Sequence, residues 1–131
     1  MPWDVVFHDQ FALEFEQLKA GVQDELLAHA VLLRDYGPGL GRPTVDTLKG
    51  SKHPNLKEMR FSYGKDVWRV AFAFDPLRKA VLLVAGNKAG ADQRLFYKRL
   101  IDSADLRLTQ HLSELKTIST DLKEKQHGKK T

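Results

Sequence analysis

The chain has 131 residues, which is the size of one ordinary soluble domain, and its formal net charge is +4. It contains no cysteine, and this excludes disulfides, thiolate metal sites and cysteine nucleophiles. No apolar run approaches the length of a membrane span, and the N-terminus lacks the basic stretch of a signal peptide. We therefore expect a cytoplasmic protein.

The charge is unevenly distributed along the chain. Residues 1–36 contain seven acidic and two basic side chains, so the positive surplus belongs to residues 37–131. Between residues 49 and 65 the only acid is Glu58. The bases of this segment are Lys49, Lys52, Lys57, Arg60 and Lys65. A basic face on a small domain favours polyanionic partners, although solubility alone would also explain it.

The N-terminal third predicts one strand and two helices. Trp3–His8 alternates as a short strand, and helical spacing of apolar residues begins after Asp9, the predicted N-cap. We expect Gly21 to divide this helical stretch into two helices. Residues 36–43 include three glycines and two prolines, which must end the second helix. Residues 44–55 are expected to form a loop or a short turn of helix.

A β-hairpin and a third strand come next. Residues 55–61 and 67–74 alternate large apolar with polar or small side chains, and 64–66 between them is typical of a turn. Residues 75–78 predict a second turn. Residues 79–85 are apolar on both faces, which predicts a strand that is covered on both sides of the sheet.

The rest of the chain predicts one more helical region. Helical spacing runs from about Phe96 to Leu115, and we expect 103–105 to break it in two. Residues 1–122 are assigned to a single domain and 123–131 to a basic, frayed tail. The predicted order is β-α-α-β-β-β-α, an α+β fold built on a small, twisted, mostly antiparallel sheet.

The strand register brings two arginines together. Keeping the apolar residues of the hairpin on one face sets Phe61 opposite Trp68, and we expect the N-terminal helices to cover that face. The same register sets Arg60 directly opposite Arg69 on the other face. Like charges in such a pair suggest an anion between them, with phosphate as the candidate. The alternative is that each arginine pairs with a nearby carboxylate such as Glu58.

Several short motifs in this order resemble one known family. They are L-x-E-x-R-F at 56–61, W-R-V-x-F-x-F-D-P at 68–76, G-x-K at 86–88 and F-Y-K at 96–98. Together they resemble the RelE/ParE superfamily of toxins, in its HigB-like, phage Gp49-like branch, over roughly residues 3–115. The resemblance implies a RelE-like fold and a type II toxin that cuts mRNA on the ribosome, without a metal, through attack by the ribose 2′-OH.

The resemblance also implies partners and alternatives. A HigB-like toxin is expected to pair with a helix-turn-helix, HigA-like antitoxin, to act on the ribosome and mRNA, and to meet DNA only through that antitoxin. No membrane role is implied. One alternative is a ParE-like inhibitor of DNA gyrase that lacks catalysis, since the fold alone does not fix the activity. Another is a non-toxic, phage-derived protein that binds nucleic acid.

The catalytic residues implied by the family are Arg69, Arg60, Lys88 and Tyr97. Metal-free RNA cleavage needs a base for the 2′-OH, positive charge at the phosphorane, and an acid for the leaving 5′-oxygen. The two arginines suit the phosphorane, because a guanidinium is always charged and grips two oxygens. Lys88 would act as acid or phosphate clamp, and Tyr97 would stack on a base or orient the 2′-OH.

The predicted RNA-binding residues are Lys98, Lys57, Lys52 and His53. His53 lies in the basic segment, and histidine is the residue type best suited to act as acid or base at physiological pH. We expect no metal and no cofactor, because the five histidines are scattered and lack metal-binding spacing. The chain also departs from RelE, since Glu58 stands where RelE has a lysine and Ala89 follows Lys88. The general base therefore stays open.

Overall fold

A computed structural model of the protein describes the backbone of residues 2–128 and the side chains of residues 2–120. The strands of this part are β1 (Asp4–Phe7), β2 (Val45–Thr47), β3 (Lys57–Tyr63), β4 (Asp66–Phe74) and β5 (Lys79–Asn87). The helices are α1 (Asp9–Glu16), α2 (Ala20–Tyr36) and α3 (Gln93–Gly128), with a 3-10 turn at Gly37–Gly39. None of the helices in this part combines the length and the apolar composition that a membrane span needs.

The strands form one mixed sheet in the order β1-β5-β4-β3-β2. β1 runs parallel to β5, and every other neighbouring pair is antiparallel. The predicted α+β class and mostly antiparallel sheet are therefore confirmed. β5 lies between β1 and β4 with both faces covered, as its doubly apolar sequence predicted.

Each face of the sheet carries its own apolar core. α1 and α2 pack against the face of Phe61 and Phe72, as predicted. α3 packs against the opposite face, where Leu100, Ala104 and Leu108 contact small residues of β4 and apolar residues of β5. The face that carries Arg60 and Arg69 is therefore partly covered by a helix.

Two details of the first half of the chain differ from the prediction. Val45–Thr47, predicted as loop or helical turn, is a strand that pairs with β3, and Val45 is buried. Three residues are too short to show an alternating pattern, so the sequence gives no strand signal there. The N-cap of α1 is His8, whose Nδ1 accepts a hydrogen bond from the backbone of Gln10 at 3.2 Å, rather than Asp9.

The helix boundaries also differ in two places. α1 and α2 are separate helices, but the break lies at residues 17–19, and Gly21 lies inside the first turn of α2. α3 runs without interruption through 103–105, because neither glycine nor proline is present and Ala104 and Asp105 are buried against the domain. The boundary between domain 1–122 and tail 123–131 stays a prediction. The backbone is helical up to Gly128, while the tail's side chains and residues 129–131 lie outside the described part.

A β-bulge ties three elements together. The β4–β5 register pairs Ala71 with Val84 and Phe72 with Leu82, so Leu83 is an extra residue. Arg107 of α3 donates to the carbonyl of Leu83 at 2.7 Å. The same guanidinium makes two bonds, of 2.7 and 2.6 Å, to the carboxylate of Glu14 on α1. One arginine thereby links both helical layers to the sheet.

The start of α3 rests on a glycine of β5. Gly86 is the register partner of Arg69, and a Cβ built on it would lie 2.8 Å from Cε2 of Phe96. The aromatic ring of Phe96 therefore uses the space that a side chain at this position would take. This contact sets the distance between the sheet and the first turns of α3. It therefore also positions Tyr97, which follows Phe96 in the sequence.

We expect Gly86→Ala to lower the free energy of unfolding by about 1–3 kcal/mol, because the added methyl overpacks this contact. Urea denaturation of the wild type and the variant measures the change. Gly41→Ala is the matched control, since a Cβ on Gly41 meets nothing within 4 Å. Equal unfolding midpoints for the Gly86 and Gly41 variants would show that the contact at Phe96 is not tight.

Candidate functional site

A buried carboxylate lies at the centre of the α3 face. Glu58 of β3 is 2% exposed, and its Oε1 accepts bonds of 2.9 Å from Nε and 2.6 Å from Nη2 of Arg60. Arg69 of β4 lies across from Arg60 in the predicted register, and its Nε is 3.9 Å from Oε2 of Glu58. The structure thus places Glu58 beside both arginines, which is the second of the two arrangements that the sequence suggested. The carboxylate offsets the like charges that face each other on these two strands.

Two polar atoms at this centre lack hydrogen bonds. Within the described residues, Oε2 of Glu58 and Nε of Arg69 are both buried and without a hydrogen-bond partner. They face each other as acceptor and donor, but 3.9 Å is too long for a hydrogen bond. Unsatisfied buried polar atoms are costly, and a hydroxyl or phosphate oxygen that bridged these two would satisfy both.

Tyr97 comes to the same centre from the second turn of α3. Its hydroxyl donates to Oε1 of Glu58 at 3.3 Å, and its ring centroid lies 5.7 Å from the guanidinium carbon of Arg69. Burial is the main cause that raises the pKa of the Tyr97 phenol above its ordinary value, and the negative charge of Glu58 raises this pKa further. The side chain therefore keeps its proton at neutral pH and acts as a hydrogen-bond donor.

Arg60 is the more exposed of the two arginines. Its side chain is 38% exposed, against 14% for Arg69. The hydrogen bonds to Glu58 raise the pKa of Arg60 further, and Asp46 of β2 lies 3.7 Å from its Nη2. A hydrogen bond from the backbone N–H of Thr47 is the main cause that lowers the pKa of Asp46, and the nearby positive charges of Arg42 and Arg60 lower this pKa further. Arg60 thus remains charged and faces solvent at the edge of the site.

Three of the predicted lysines lie near this centre or behind it. Lys88 follows the end of β5, two residues past the partner of Arg69, and donates to Oε1 of Gln93 at 2.9 Å. Lys98 is exposed next to Tyr97, and its Nζ lies 3.9 Å from Oδ2 of Asp102. Lys57 alternates with Glu58 along β3, so it points to the other face of the sheet.

The loop with Lys52 and His53 lies apart from the four catalytic candidates. The backbone N–H of Lys52 donates to Asp105 at 3.1 Å, and Nε2 of His53 lies 2.9 Å from the hydroxyl of Thr109. Asp105 is about 12 Å along α3 from Tyr97. The loop is therefore fixed to the middle of α3, while Arg60, Arg69 and Tyr97 gather at its start.

Sequence reasoning missed the central role of Glu58. The signal was present, because Glu58 and Arg60 are two residues apart on one strand and must share a face. The full burial of Glu58 depends on α3, whose position the hairpin sequence does not reveal. Among the described residues, no group of three or more acidic, histidine or cysteine side chains could hold a metal ion.

Comparison with known proteins places the chain in a family. Residues 13–109, well over half of its length, match the family described as "Phage derived protein Gp49-like (DUF891)". The chain belongs to the Gp49-like family. In the Gp49-like chain all four predicted catalytic residues, Arg60, Arg69, Lys88 and Tyr97, fall within the matched segment.

Two relatives of this Gp49-like chain come from Mycobacterium tuberculosis. The protein named "Putative toxin HigB2" is 43% identical over 106 residues, which cover 79% of this chain and 52% of that protein. "Putative toxin HigB3" is 47% identical over 76 residues, which cover 58% of this chain and 64% of that protein. The chain thus spans about half of the first relative and under two thirds of the second. The expected Gp49-like membership is confirmed, and both relatives are named as HigB toxins.

Two solved structures share the fold. The E. coli toxin RelE, solved as a mutant in the free state, matches with a TM-score of 0.55 and 13% identity, over 82% of this chain and 98% of RelE. A chain of the archaeal RelE–RelB complex from Pyrococcus horikoshii OT3 matches with a TM-score of 0.50 and 20% identity, over 70% of this chain and 100% of that chain. At these identities the likeness concerns the fold alone, and it confirms the predicted RelE-like fold of the Gp49-like chain.

We expect Tyr97 to ionise at a higher pH than an ordinary tyrosine. Its folded pKa is raised, so the folded state keeps a proton that the unfolded chain loses near pH 10. The stability contributed by Tyr97 is therefore complete below about pH 10 and is lost as the pH rises through the folded pKa. An alkaline titration of phenolate absorbance, which reports on the three tyrosines, should show one late component.

The late component should vanish in Tyr97→Phe. Tyr36→Phe is the matched control, because Tyr36 is 65% exposed and its replacement should leave the late component in place. A late component that survives in Tyr97→Phe would contradict the assignment.

Proposed function

We propose that this protein is the toxin of a type II toxin–antitoxin pair and acts in the cytoplasm as a ribosome-dependent mRNA endonuclease. The observation that carries the proposal is the buried carboxylate of Glu58, held beside Arg60, Arg69 and Tyr97 on one face of the sheet. The two relatives named as HigB toxins support the toxin assignment, since they are 43% and 47% identical to this chain.

Glu58 is the group best placed to remove the proton of the ribose 2′-OH. Its Oε1 is occupied by Arg60 and Tyr97, whereas Oε2 accepts no hydrogen bond from the described residues. A hydroxyl that donates to Oε2 would satisfy this buried acceptor and lie ready to lose its proton. We assign Glu58 the general-base role that the sequence left open. The 2′-oxygen then attacks the neighbouring phosphorus.

Arg69 and Arg60 would stabilise the negative charge that develops on the phosphorane. The Nε of Arg69 is a buried donor without a hydrogen-bond partner among the described residues, so a phosphate oxygen can take it without displacing another bond. Arg60 lies on the neighbouring strand with a more exposed guanidinium, which suits contact with the chain of an incoming RNA. Two fixed guanidinium groups on adjacent strands give the phosphate a defined orientation.

The remaining steps use Tyr97 and Lys88. The neutral phenol of Tyr97 touches both Glu58 and Arg69, which places it to orient the 2′-OH or to stack on a base. Lys88 would give a proton to the leaving 5′-oxygen as the P–O5′ bond breaks. The products are a 2′,3′-cyclic phosphate and a 5′-hydroxyl end, and the chain's own residues supply the base, the charge and the acid.

An antitoxin partner is part of the proposal. The archaeal RelE of the same fold was solved in a complex with RelB. We propose a helix-turn-helix, HigA-like antitoxin for this chain, with DNA contacts made only by that antitoxin. Lys98, Lys57, Lys52 and His53 remain proposed RNA contacts, and the structure gives Lys57 and the loop of Lys52 positions away from the central carboxylate.

We expect the double variant Arg60→Ala/Arg69→Ala to lose mRNA cleavage and toxicity, because the phosphorane would lack both cations. Cut ends on messages are mapped after pulse induction, with and without an inhibitor that empties the ribosomes. In the wild type the cuts should lie in frame and disappear with the ribosomes. Arg34→Ala, an arginine that pairs with Asp35 on the far helix, is the control and should cut like the wild type.

Two other outcomes would contradict the proposal. Growth arrest without cuts, retained in the double variant, would indicate a gyrase inhibitor. An absence of any arrest or cutting by the wild type would leave a non-toxic nucleic-acid-binding protein.

We expect Glu58→Gln to reduce the cleavage rate by about 10²–10⁴-fold, which is the usual contribution of a general base. The amide keeps the size of the side chain but cannot accept the proton. Single-turnover cleavage on programmed ribosomes measures the rate, and urea denaturation shows whether the fold is retained. Glu16→Gln, at an exposed end of α1, is the matched control. Cleavage near the wild-type rate by a folded Glu58→Gln variant would contradict the general-base role and would leave Glu58 only the role of positioning the two arginines.

A further inference from the structure

Lys88 lies in a tight turn between β5 and α3. The backbone N–H of Ala91 donates to the carbonyl of Lys88 at 3.0 Å, which closes a four-residue turn. Gly90, the third residue of this turn, has φ +69°, a backbone conformation that favours glycine. The position of the Lys88 side chain therefore depends on how this turn is attached to the end of the sheet.

Asn87 attaches the turn to the sheet with both ends of its side-chain amide. Its Oδ1 accepts a hydrogen bond of 2.9 Å from the backbone N–H of Ala89, inside the turn. Its Nδ2 donates to Oδ2 of Asp66, the first residue of β4, at 2.9 Å. A backbone N–H only donates and a carboxylate only accepts, so a single orientation of the amide satisfies both partners. Asn87 thereby links the turn of Lys88 to the hairpin.

The side chains of Asn87 and Lys88 lie on opposite faces of the sheet. Asn87 is the register partner of Trp68, and the residue before it is the partner of Arg69. Because side chains alternate along a strand, Asn87 shares the face that α1 and α2 cover, and Lys88 is directed to the face of Arg69. Lys88 is half-buried there, and its Nζ donates to Oε1 of Gln93 at the start of α3 at 2.9 Å. Asn87 can therefore act on that face only through the backbone that carries Lys88.

We propose that Asn87 and Asp66 are positioning residues, which hold the ammonium of Lys88 where it can protonate the leaving 5′-oxygen. The inference rests on the proposed function, because it takes Lys88 as the general acid. As the 2′-oxygen bonds to phosphorus, the P–O5′ bond breaks and its electron pair stays on the 5′-oxygen, which takes a proton from Nζ. The amine of Lys88 is left neutral, and the proton of the 2′-OH stays on Glu58 until exchange with solvent restores both groups.

Proton transfer depends closely on the distance between donor and acceptor. A general acid acts from within about 2.6–3.2 Å of the atom that it protonates. A displacement of about 1 Å can reduce a rate by about 10²-fold. Loss of the bond between Asn87 and Asp66 would detach the turn of Lys88 from the hairpin, while Arg60 and Arg69 would keep their own contacts with Glu58. The proposed defect is therefore specific to the protonation of the leaving group.

The test uses an RNA in which sulfur replaces the 5′-oxygen of the scissile bond. Thiols are much stronger acids than alcohols, so a 5′-thiolate leaves without receiving a proton. On ordinary RNA, in single-turnover reactions on programmed ribosomes, we expect Asn87→Ala and Asp66→Ala each to cut about tenfold more slowly than the wild type. Lys88→Ala should cut about 10²–10⁴-fold more slowly. On the sulfur RNA all three variants should cut within about twofold of the wild type.

An exchange of the two side chains tests the hydrogen bond itself. Asn87→Asp alone sets two carboxylates against each other and should cut ordinary RNA slowly. The double variant Asn87→Asp/Asp66→Asn restores one donor and one acceptor to the pair and keeps an acceptor for Ala89. Its rate should therefore return to within about threefold of the wild type. Asn55→Ala, which replaces the other asparagine of the chain at an exposed position, is the control and should cut like the wild type.

The contrary outcomes separate this inference from the nuclease proposal. Equal losses on both RNAs in Asn87→Ala would indicate general damage to the fold, and wild-type cutting of ordinary RNA would show that Lys88 needs no such attachment. A Lys88→Ala variant that stays slow on the sulfur RNA would exclude Lys88 as the acid. Each of these results overturns the inference while the wild type is still a nuclease. A wild type that cuts neither RNA would refute the nuclease proposal and this inference with it.

Discussion

Glu58 places a negative charge inside a sheet face where Arg60 and Arg69 stand directly opposite each other. Without it, the register imposed by the apolar side of the hairpin would hold two like charges together. With it, both guanidinium groups are fixed on adjacent strands and the phenol of Tyr97 gains an acceptor. The same apolar register that builds the core therefore assembles the charged centre on the other side.

Much of this arrangement follows from local sequence. The alternation of 55–61 and 67–74 fixes which residues face the core, and the turn at 64–66 fixes the register, so the Arg60–Arg69 pair could be predicted correctly. The two helical layers follow from the spacing of their apolar residues. β2 could not be found this way, because three residues carry no period and pair only once β3 exists.

The sequence predicted which residues form the candidate site, but it did not predict how they are arranged. Arg60, Arg69 and Tyr97 do meet, although they meet around Glu58, which the sequence suggested only as a neutralising partner. That difference arises from α3, since long-range packing of Phe96 on Gly86 decides what lies above the hairpin. Lys52 and His53 are near Arg60 in sequence but bind the middle of α3. Sequence proximity within a loop is a poor guide to such anchoring.

The link from Arg107 to Leu83 and Glu14 has a consequence for motion. Together with the contact between Asp105 and the loop at 51–52, it ties residues 105–107 of α3 to the sheet, to α1 and to that loop. A helix held in this way cannot slide along the sheet without breaking these contacts. The end nearest the sheet carries Tyr97, which covers Arg69. Because Oε2 of Glu58 and Nε of Arg69 are buried, a substrate can reach them only if the helical turn that carries Tyr97 is displaced, and the contacts of Arg107 need not break for that.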